Sequence, residues 1–490
     1  MPRRSPAISA DNGGARVNFV FVALSRPHRP MKTLPLSSCL LGLVLSASTL
    51  PALAAPEPGS KIDPYNVPVA VKANNRPEAI LKDPRVKLEF GPEQLVLAGG
   101  LQPSMLITKT GAVVVQSQMP ERPFPSERQS SHWAMGTVVS RDTGKSWTRI
   151  PLRPGENGLN MEGGALQLRD GSILALDTYV TPGAKAGMGL GELYTSNDDW
   201  KTLSGPKTIT FSVPKVNFTG STDDGGRPYL AVRLHRRIIE LPNGDLLTTL
   251  YGWFEGDTAV SGYMPTMRKS RVMLVRSKNR GQHWDLISTV AVDPKVGTEG
   301  FGEAVLDRIE QGPHAGRLIC QMRTGQELRE TVSDDEGRTW VPSYPRIFAD
   351  LDVYRTEKWV EMFRGTKDRN GNPIENNPVE MIGAVVDPDL KVLRSGTIVA
   401  TFGVRIPPRA CWPRAEHPWN GSYLAVSLDH GATWSHVVRM TSGVLTTHYT
   451  AIEEFPEGNK LYFAYDLGDW RSGQGRSTYG RTVTIEVASR

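Results

Sequence analysis

One eight-residue phrase recurs along this chain of 490 residues: Ser, any residue, Asp or Asn, any residue, Gly, two further residues, Trp. It stands at Ser140–Trp147, Ser277–Trp284, Ser333–Trp340 and Ser427–Trp434. A worn copy, Thr195-Ser196-Asn197-Asp198-Asp199-Trp200, lies between the first two. A short motif returning at multiples of a supersecondary unit marks a repeat architecture. Each copy has the chemistry of a β-hairpin turn. The Asp or Asn side chain accepts hydrogen bonds from backbone N–H groups one and two residues on, the Gly takes a positive φ, and the Trp covers the turn as the next strand begins. Turn chemistry explains every fixed position without a ligand, so the phrase identifies a scaffold and not a site.

Short alternating apolar stretches fill the intervals: Ser104–Gln116, Gly164–Leu176, Arg237–Leu250, Gly316–Arg323, Gly396–Gly403 and Lys460–Tyr465. Asp170-Gly171 and Asn243-Gly244 supply turns next to such runs, as expected of strands. The repeating unit is an inner strand, a turn, and outward strands ending in the phrase. About six such units fit the length, the number expected of a small propeller. The expected fold is therefore all-β, a six-bladed β-propeller over 91–490 preceded by a Pro- and Lys-rich lead-in arm at 56–90. The content of 48 Gly, 37 Pro and 11 Trp with 22% charged residues agrees with a β-rich globular chain. Residues 355–378 read as a long surface loop, and no linker marks a second domain.

The N-terminus reads as an address. Met31-Lys32, the apolar run Leu40–Leu50 and the small residues Pro51-Ala52-Leu53-Ala54-Ala55 form a secretory signal over 31–55, with cleavage after Ala54 or Ala55. Residues 1–30 then form an extension from a start assigned too early. Leu36-Ser37-Ser38-Cys39 precedes the apolar core, which argues against a lipid anchor. The mature chain is expected to be periplasmic or secreted, without a membrane span, and monomeric. The net charge of +6 comes partly from the first few dozen residues, and the remaining basic residues are scattered. A nucleic-acid partner is not expected. Cys320 and Cys411 either pair or stand as lone sites, and two free thiols are the favoured reading. No zinc-ligand spacing and no phosphate-cradling Gly loop are present, so neither a metal nor a cofactor is expected.

In a propeller the innermost strands converge on one axial mouth, so charged and phenolic residues beside those strands are the ones to seek. Glu303 opens the apolar stretch Gly302–Leu306, and Arg323 closes Arg317–Arg323 just before a turn. Arg405 ends Gly396–Arg405. Tyr449 lies in Thr446–Ile452, after the last phrase and before an inner strand. Met161-Glu162-Gly163-Gly164, Arg233-Leu234-His235-Arg236 and Tyr251-Gly252-Trp253-Phe254-Glu255 are further segments that can face the mouth, with blade-edge packing as the alternative.

The repeated phrases, the order Glu, Arg, Arg, Tyr, and the closing run Leu461-Tyr462-Phe463-Ala464-Tyr465-Asp466 together resemble bacterial sialidases and their Asp-box relatives, over most of the chain after about residue 90. The resemblance implies a six-bladed propeller and a retaining exo-glycosidase acting on a terminal, sialic-acid-like sugar of a glycan. In that scheme Tyr449 is the nucleophile, Glu303 relieves it of its proton, and Arg323 is the second arginine of a carboxylate clamp. A phenol titrating near 10 needs such a base at neutral pH, and sialidases stand outside the two-carboxylate scheme of most glycosidases. The third arginine falls on Arg405, with Arg409 and Arg414 as alternatives. The first arginine, in an Arg-Ile-Pro phrase, has no counterpart in Gly100-Leu101-Gln102-Pro103-Ser104. The acid/base Asp is also absent from the loop Glu121–Arg128, where Glu127 substitutes and Arg122 or Arg128 offers a replacement for the clamp. Arg128 and His235 complete the expected substrate contacts. Other readings left open are a relative acting on arabinose, rhamnose or an uronic acid, and a non-catalytic glycan-binding propeller.

Overall fold

The computed structural model describes residues 75–119, 135–150, 159–218, 221–222, 228–229, 231–262, 267–349, 351, 364–365, 373, 383–406, 419–441, 447–468 and 476–488. All belong to the compact unit spanning Pro56–Arg490. The signal sequence, Arg122, Glu127, Arg128, Arg409, Cys411, Arg414 and most of 355–378 lie outside the described residues. No described helix is long and apolar enough to cross a membrane.

Apart from one 3-10 turn at Met161–Gly163, the regular elements among the described residues are strands. They arrange, propeller-like, as four small sheets and a seven-strand barrel. One sheet runs Leu101–Ile107, Val113–Gln118, Met135–Ser140, Thr148–Ile150. A second runs Gly302–Arg308, Leu318–Arg323, Arg329–Ser333, Tyr344–Pro345. A third runs Ala384–Val392, Ile398–Arg405, Gly421–Ser427, His436–Arg439, with Glu78–Leu81 at its outer edge. In the fourth, Thr450–Glu454, Lys460–Leu467 and Ser477–Val487 are completed by Val86–Phe90 and Gln94–Ala98, both paired with Ser477–Val487. Part of the expected lead-in arm thus supplies strands to two sheets.

The remaining two meanders are Ala165–Gln167, Ile173–Leu176, Met188–Ser196, Ser204–Ser212 and Val232–Glu240, Leu246–Phe254, Arg271–Ser277, His283–Ala291. They are joined at their edges. Ser204–Ser212 pairs in parallel with His283–Ala291, and Tyr179–Pro182 bridges Met188–Ser196 to Val232–Glu240, closing a ring of seven strands. Edge strands of neighbouring units satisfy their free peptide groups on each other, a solution the repeated turns do not reveal.

Strands buried on both faces are largely apolar, as in Ile398–Arg405. The core sits between sheets: Val305 and Ile319 pack with Val385, Ile398 and Phe402, and Phe348 stacks on Phe402 at 4.2 Å. Trp284, fully buried, stacks on Phe211 across the parallel seam at 6.2 Å. Such pairs add about 0.5–1.5 kcal/mol each beyond area burial. Cys320 is buried with a free thiol, and burial pushes its pKa up.

The repeated phrase closes the turn from a third strand to a fourth. Its Ser hydroxyl accepts the Gly N–H, as in Ser333 from Gly337 at 2.9 Å. The carboxylate reaches further than the one or two residues expected from sequence: Asp335 accepts the Thr339 N–H at 2.9 Å and the Thr339 hydroxyl at 2.7 Å, four residues on. Two successive residues turn left-handed, Glu336 at φ 58° and Gly337 at φ 82°. In the worn copy the buried Trp200 occupies the glycine position at φ 61°, a conformation costing a side-chain-bearing residue about 1–2 kcal/mol. The Thr339 bonds lower Asp335 to about 2. A depressed carboxylate contributes stability that is present above its unfolded pKa of about 3.9 and lost as pH falls through its folded value. Asp335→Ala is expected to destabilise by about 1 kcal/mol, its exposure limiting the effect. Urea unfolding checks this: the gap to wild type should be full at neutral pH and close as pH approaches about 2. No gap at neutral pH refutes the assignment.

Candidate active site

In each meander the first strand starts where the second one stops, as the pairs Leu101↔Gln118, Arg233↔Tyr251, Gly302↔Arg323, Ala384↔Arg405 and Thr450↔Tyr465 show. Just past these starts four first strands bulge, between Leu101 and Ser104, His235 and Ile238, Gly302 and Val305, and Val386 and Asp389. A bulge inserts an unpaired residue and re-aims its side chain. Three of the bulged segments hold a non-glycine residue at positive φ: Gln102 at 57°, Glu303 at 38° and Asp387 at 46°.

Hydrogen bonds then join these ends around the axis. Gln118 and Arg233 both reach Glu162, at 3.2 and 2.8 Å. His235 Nδ1 lies 3.1 Å from the Ala304 carbonyl. Arg323 reaches Tyr449, Arg405 Nε donates to the Thr447 carbonyl at 2.9 Å, and the Gln102 N–H donates to Asp466 at 2.8 Å. The same first strands line a cavity of about 290 Å³ at their other ends, through Ile107, Leu166, Arg237, Asp307, Lys391 and Glu453 among others.

The centre of the ring is a triad: Glu303 and Arg323 stand on two paired strands of one sheet, and Tyr449 stands at the approach to Thr450–Glu454 of another. The Tyr449 hydroxyl donates to Glu303 Oε1 at 2.6 Å. Arg323 Nη1 donates to both, to Glu303 Oε1 at 2.8 Å and to the phenol oxygen at 2.9 Å, while Nη2 donates to Glu299 at 3.0 Å. Glu303 Oε2 is buried without a hydrogen-bond partner among the described residues. Burial alone would push the Glu303 carboxyl up, but the Arg323 charge holds it down at about 2. Burial pushes the Tyr449 phenol well above its usual 10, and the Glu303 charge adds to this. At rest the pair is therefore a neutral phenol donating to a carboxylate. Arg323 stays charged, since Glu299 and Glu303 oppose the burial that would lower it.

Of the residues singled out from sequence, Glu303, Arg323, Arg405 and Tyr449 come together. The Arg405 guanidinium carbon lies 5.5 Å from the centre of the Tyr449 ring. His235 is buried, packs edge-on against Tyr251, and sits behind Glu303 through the Ala304 carbonyl. Burial first, then Arg236, lowers its pKa to about 3, so the ring is neutral. Glu127 and Arg128 lie outside the described residues. Sequence reading missed Glu299, which shares Arg323, and Asp387 with Asp389, which are buried at the axis. A signal for the latter was present: Asp387-Pro388-Asp389 breaks an otherwise apolar strand, and buried charges in such runs must be paired. Glu162 and Arg233 form an ion pair at 2.8 Å, with Arg233 over the rings of Tyr179 at 5.4 Å and Tyr251 at 5.9 Å.

No protein-family model matches this sequence, and no curated protein matches it. Among solved structures, a protein of unknown function from Dyadobacter fermentans superposes with a TM-score of 0.53 at 18% identity, over 82% of this chain and all of the other. An α-L-arabinofuranosidase from Fusarium graminearum gives 0.47 at 11% identity, over 80% of this chain and 97% of its own. A variant sialidase from Streptococcus pneumoniae gives 0.46 at 12% identity, over 80% and 70%. At these identities the likeness is one of fold.

Proposed function

We propose that the chain is an exported exo-glycosidase of the sialidase superfamily, built as a six-bladed propeller, that hydrolyses terminal, sialic-acid-like sugars of glycans by a retaining mechanism with Tyr449 as nucleophile. The single observation that carries this reading is the 2.6 Å bond from the Tyr449 hydroxyl to a Glu303 carboxylate that Arg323 holds ionised. A phenol becomes a nucleophile at neutral pH when a base can take its proton, and Glu303 stands at that position with Arg323 beside it. In the first step Tyr449 Oη bonds to the anomeric carbon as the glycosidic C–O bond breaks. The phenolic proton passes to Glu303, and the leaving oxygen takes a proton from Glu127. In the second, water attacks the same carbon and gives its proton to Glu127, while Tyr449 departs and recovers its proton from Glu303. Arg323 offsets the charge that develops on the phenol oxygen, and Arg405 and Arg128 complete the substrate side; His235, expected there from sequence, is instead buried behind Glu303.

A second reading keeps the machinery and changes the sugar. The stretch Gly100–Ser104 carries no counterpart of the first clamp arginine, and the Gln102 N–H within it is bonded to Asp466. A clamp without that arginine suits a neutral terminal sugar such as arabinose or rhamnose as the substrate. A panel of aryl glycosides incubated with the mature chain separates the two. Release from the sialoside alone supports the first reading, and release only from a neutral sugar replaces it with the second. Tyr449→Phe should abolish turnover while leaving the circular dichroism spectrum unchanged, and Glu303→Gln should lower kcat by about 10²–10⁴-fold. A fully active Tyr449→Phe refutes the phenolic nucleophile. Arg323→Met removes the charge that opposes burial at Glu303, so the acidic limb of the kcat profile, which follows Glu303 protonation, should move to higher pH. An unmoved limb would show that Glu303 is not the base.

A further inference from the structure

Thr450–Glu454 is the edge strand of its sheet, hydrogen-bonded on one side to Lys460–Leu467. On its other side, toward the axis, every second peptide needs a partner. Two side-chain rungs supply it. In the first, Asp387 Oδ2 accepts the Thr450 N–H at 2.8 Å, and Arg236 donates to the Thr450 carbonyl and to Asp387 Oδ1. In the second, Asp389 Oδ2 accepts the Ile452 N–H at 2.9 Å, and Arg237 donates to the Ile452 carbonyl at 2.6 Å and to Asp389 Oδ1 at 3.0 Å. Arg236-Arg237 come from Val232–Glu240 and Asp387 and Asp389 from Ala384–Val392. Two other sheets thus reach across the axis to replace a missing strand.

We propose that Arg236 and Asp387 are positioning residues for Tyr449, an inference that rests on Tyr449 being the nucleophile. The Thr450 N–H held by Asp387 belongs to the peptide plane that carries the Tyr449 carbonyl, so the first rung fixes the backbone on the C-terminal side of the phenol. On its other side stands His448 at φ 63°, outside the strand. Tyr449 therefore enters the sheet from an irregular approach, and the first rung is the anchor next to it. The Tyr449 carbonyl adds only a 3.4 Å contact with the Asp466 N–H. The bulge that delivers Asp387 is of the same kind as the one that aims Glu303 in the neighbouring sheet. Base and brace are thus presented to Tyr449 by equivalent bulges, and the phenol–carboxylate distance is set by both. The second rung is built alike, from a buried Asp and an Arg, but grips a peptide two residues farther along and engages Glu453; its Asp389 also lies 3.6 Å from Arg236, a longer contact than Arg236 makes to Asp387. It serves as the internal control, since a purely structural ladder makes the two rungs equivalent.

The test uses the full chain with Asp387→Asn, Arg236→Lys and Asp389→Asn. Three readouts are taken: kcat and KM on an aryl glycoside that the wild type hydrolyses, the Tm, and the 19F spectrum of protein labelled with 3-fluorotyrosine. The Tyr449 resonance is identified by its loss in Tyr449→Phe. Asp387→Asn is expected to lower kcat about 10- to 100-fold at little change in KM, through nucleophile misplacement, and to move the Tyr449 resonance. Asp389→Asn is expected to lower the Tm comparably while sparing both kcat and the resonance. Wild-type kcat with an unmoved resonance in folded Asp387→Asn overturns the proposal, and so does an equal kcat loss in Asp389→Asn. Should Asp387→Asn not fold, Arg236→Lys, which keeps the charge and loses the fork, decides by the same criteria. A fully active Tyr449→Phe would sink the catalytic reading instead, and the resonance comparison would still decide whether the first rung positions residue 449.

Discussion

In each of the four small sheets the first strand has an edge without a neighbouring strand, and Val232–Glu240 is paired with Tyr179–Pro182 only at its start, so these edges must satisfy their remaining peptide groups by other means. Much of what lies at the centre follows from this. Between Thr450 and Ile452 the partners are two Asp–Arg pairs. At Leu101–Ile107 a bulge turns the Gln102 N–H toward Asp466, and at Val232–Glu240 the bulge falls beside the His235 that approaches Ala304. An edge left bare would pair with another chain or admit water to the axis. Closing it with side chains concentrates polar and charged groups where an otherwise apolar scaffold would have none.

Burying charge in this way is unfavourable unless each group is paired and hydrogen-bonded. Arg323 illustrates the compensation. One guanidinium serves Glu299, Glu303 and the Tyr449 hydroxyl with side-chain bonds of 2.8–3.0 Å. Remove it and two partly buried carboxylates lose their counter-charge together. The same pairing sets the chemistry: burial would neutralise Glu303, Arg323 prevents it, and the phenol, deprived of water, keeps its proton until a reaction draws it off. Strain enters at the same point, since Glu303 holds φ 38°, a conformation worth about 1–3 kcal/mol that surrounding bonds must over-determine.

Turn chemistry was the most legible part of the sequence. The Ser-x-Asp-x-Gly pattern placed the third-to-fourth-strand turns correctly because a left-handed glycine and a capping carboxylate are local requirements. It did not disclose that Ser204–Ser212 pairs with His283–Ala291, because parallel edge pairing is a property of two distant strands. Nor did it show how far the carboxylate reaches, since Thr339 is bonded four residues away. At the site, Glu303, Arg323, Arg405 and Tyr449 were legible because each stands at a strand end in an apolar context. Glu299 was not, because nothing in Gly297-Thr298-Glu299 distinguishes it from a solvated loop acid until Arg323 is in place. Asp387 and Arg236 were hidden for the opposite reason. Their role is to pair with backbone, and a main-chain partner leaves no mark in the side-chain pattern.

The balance around Arg323 also bears on the sugar that the proposed reading assigns to this mouth. A substrate carboxylate is bound best by two parallel N–H groups of one guanidinium. Both terminal nitrogens of Arg323 already face carboxylates, Glu303 through Nη1 and Glu299 through Nη2. An anionic sugar seated there shares one positive charge with two negative ones in a site of low dielectric, where each like-charge contact is amplified. Arg405 shifts the balance only in part, because its Nε is bonded to the Thr447 carbonyl and its guanidinium lies beside the Tyr449 ring. A neutral sugar meets no such repulsion, and its hydroxyl groups can donate to the buried Glu303 Oε2, which has no hydrogen-bond partner among the described residues. Sugar charge, more than sugar size, is therefore the property on which this arrangement discriminates.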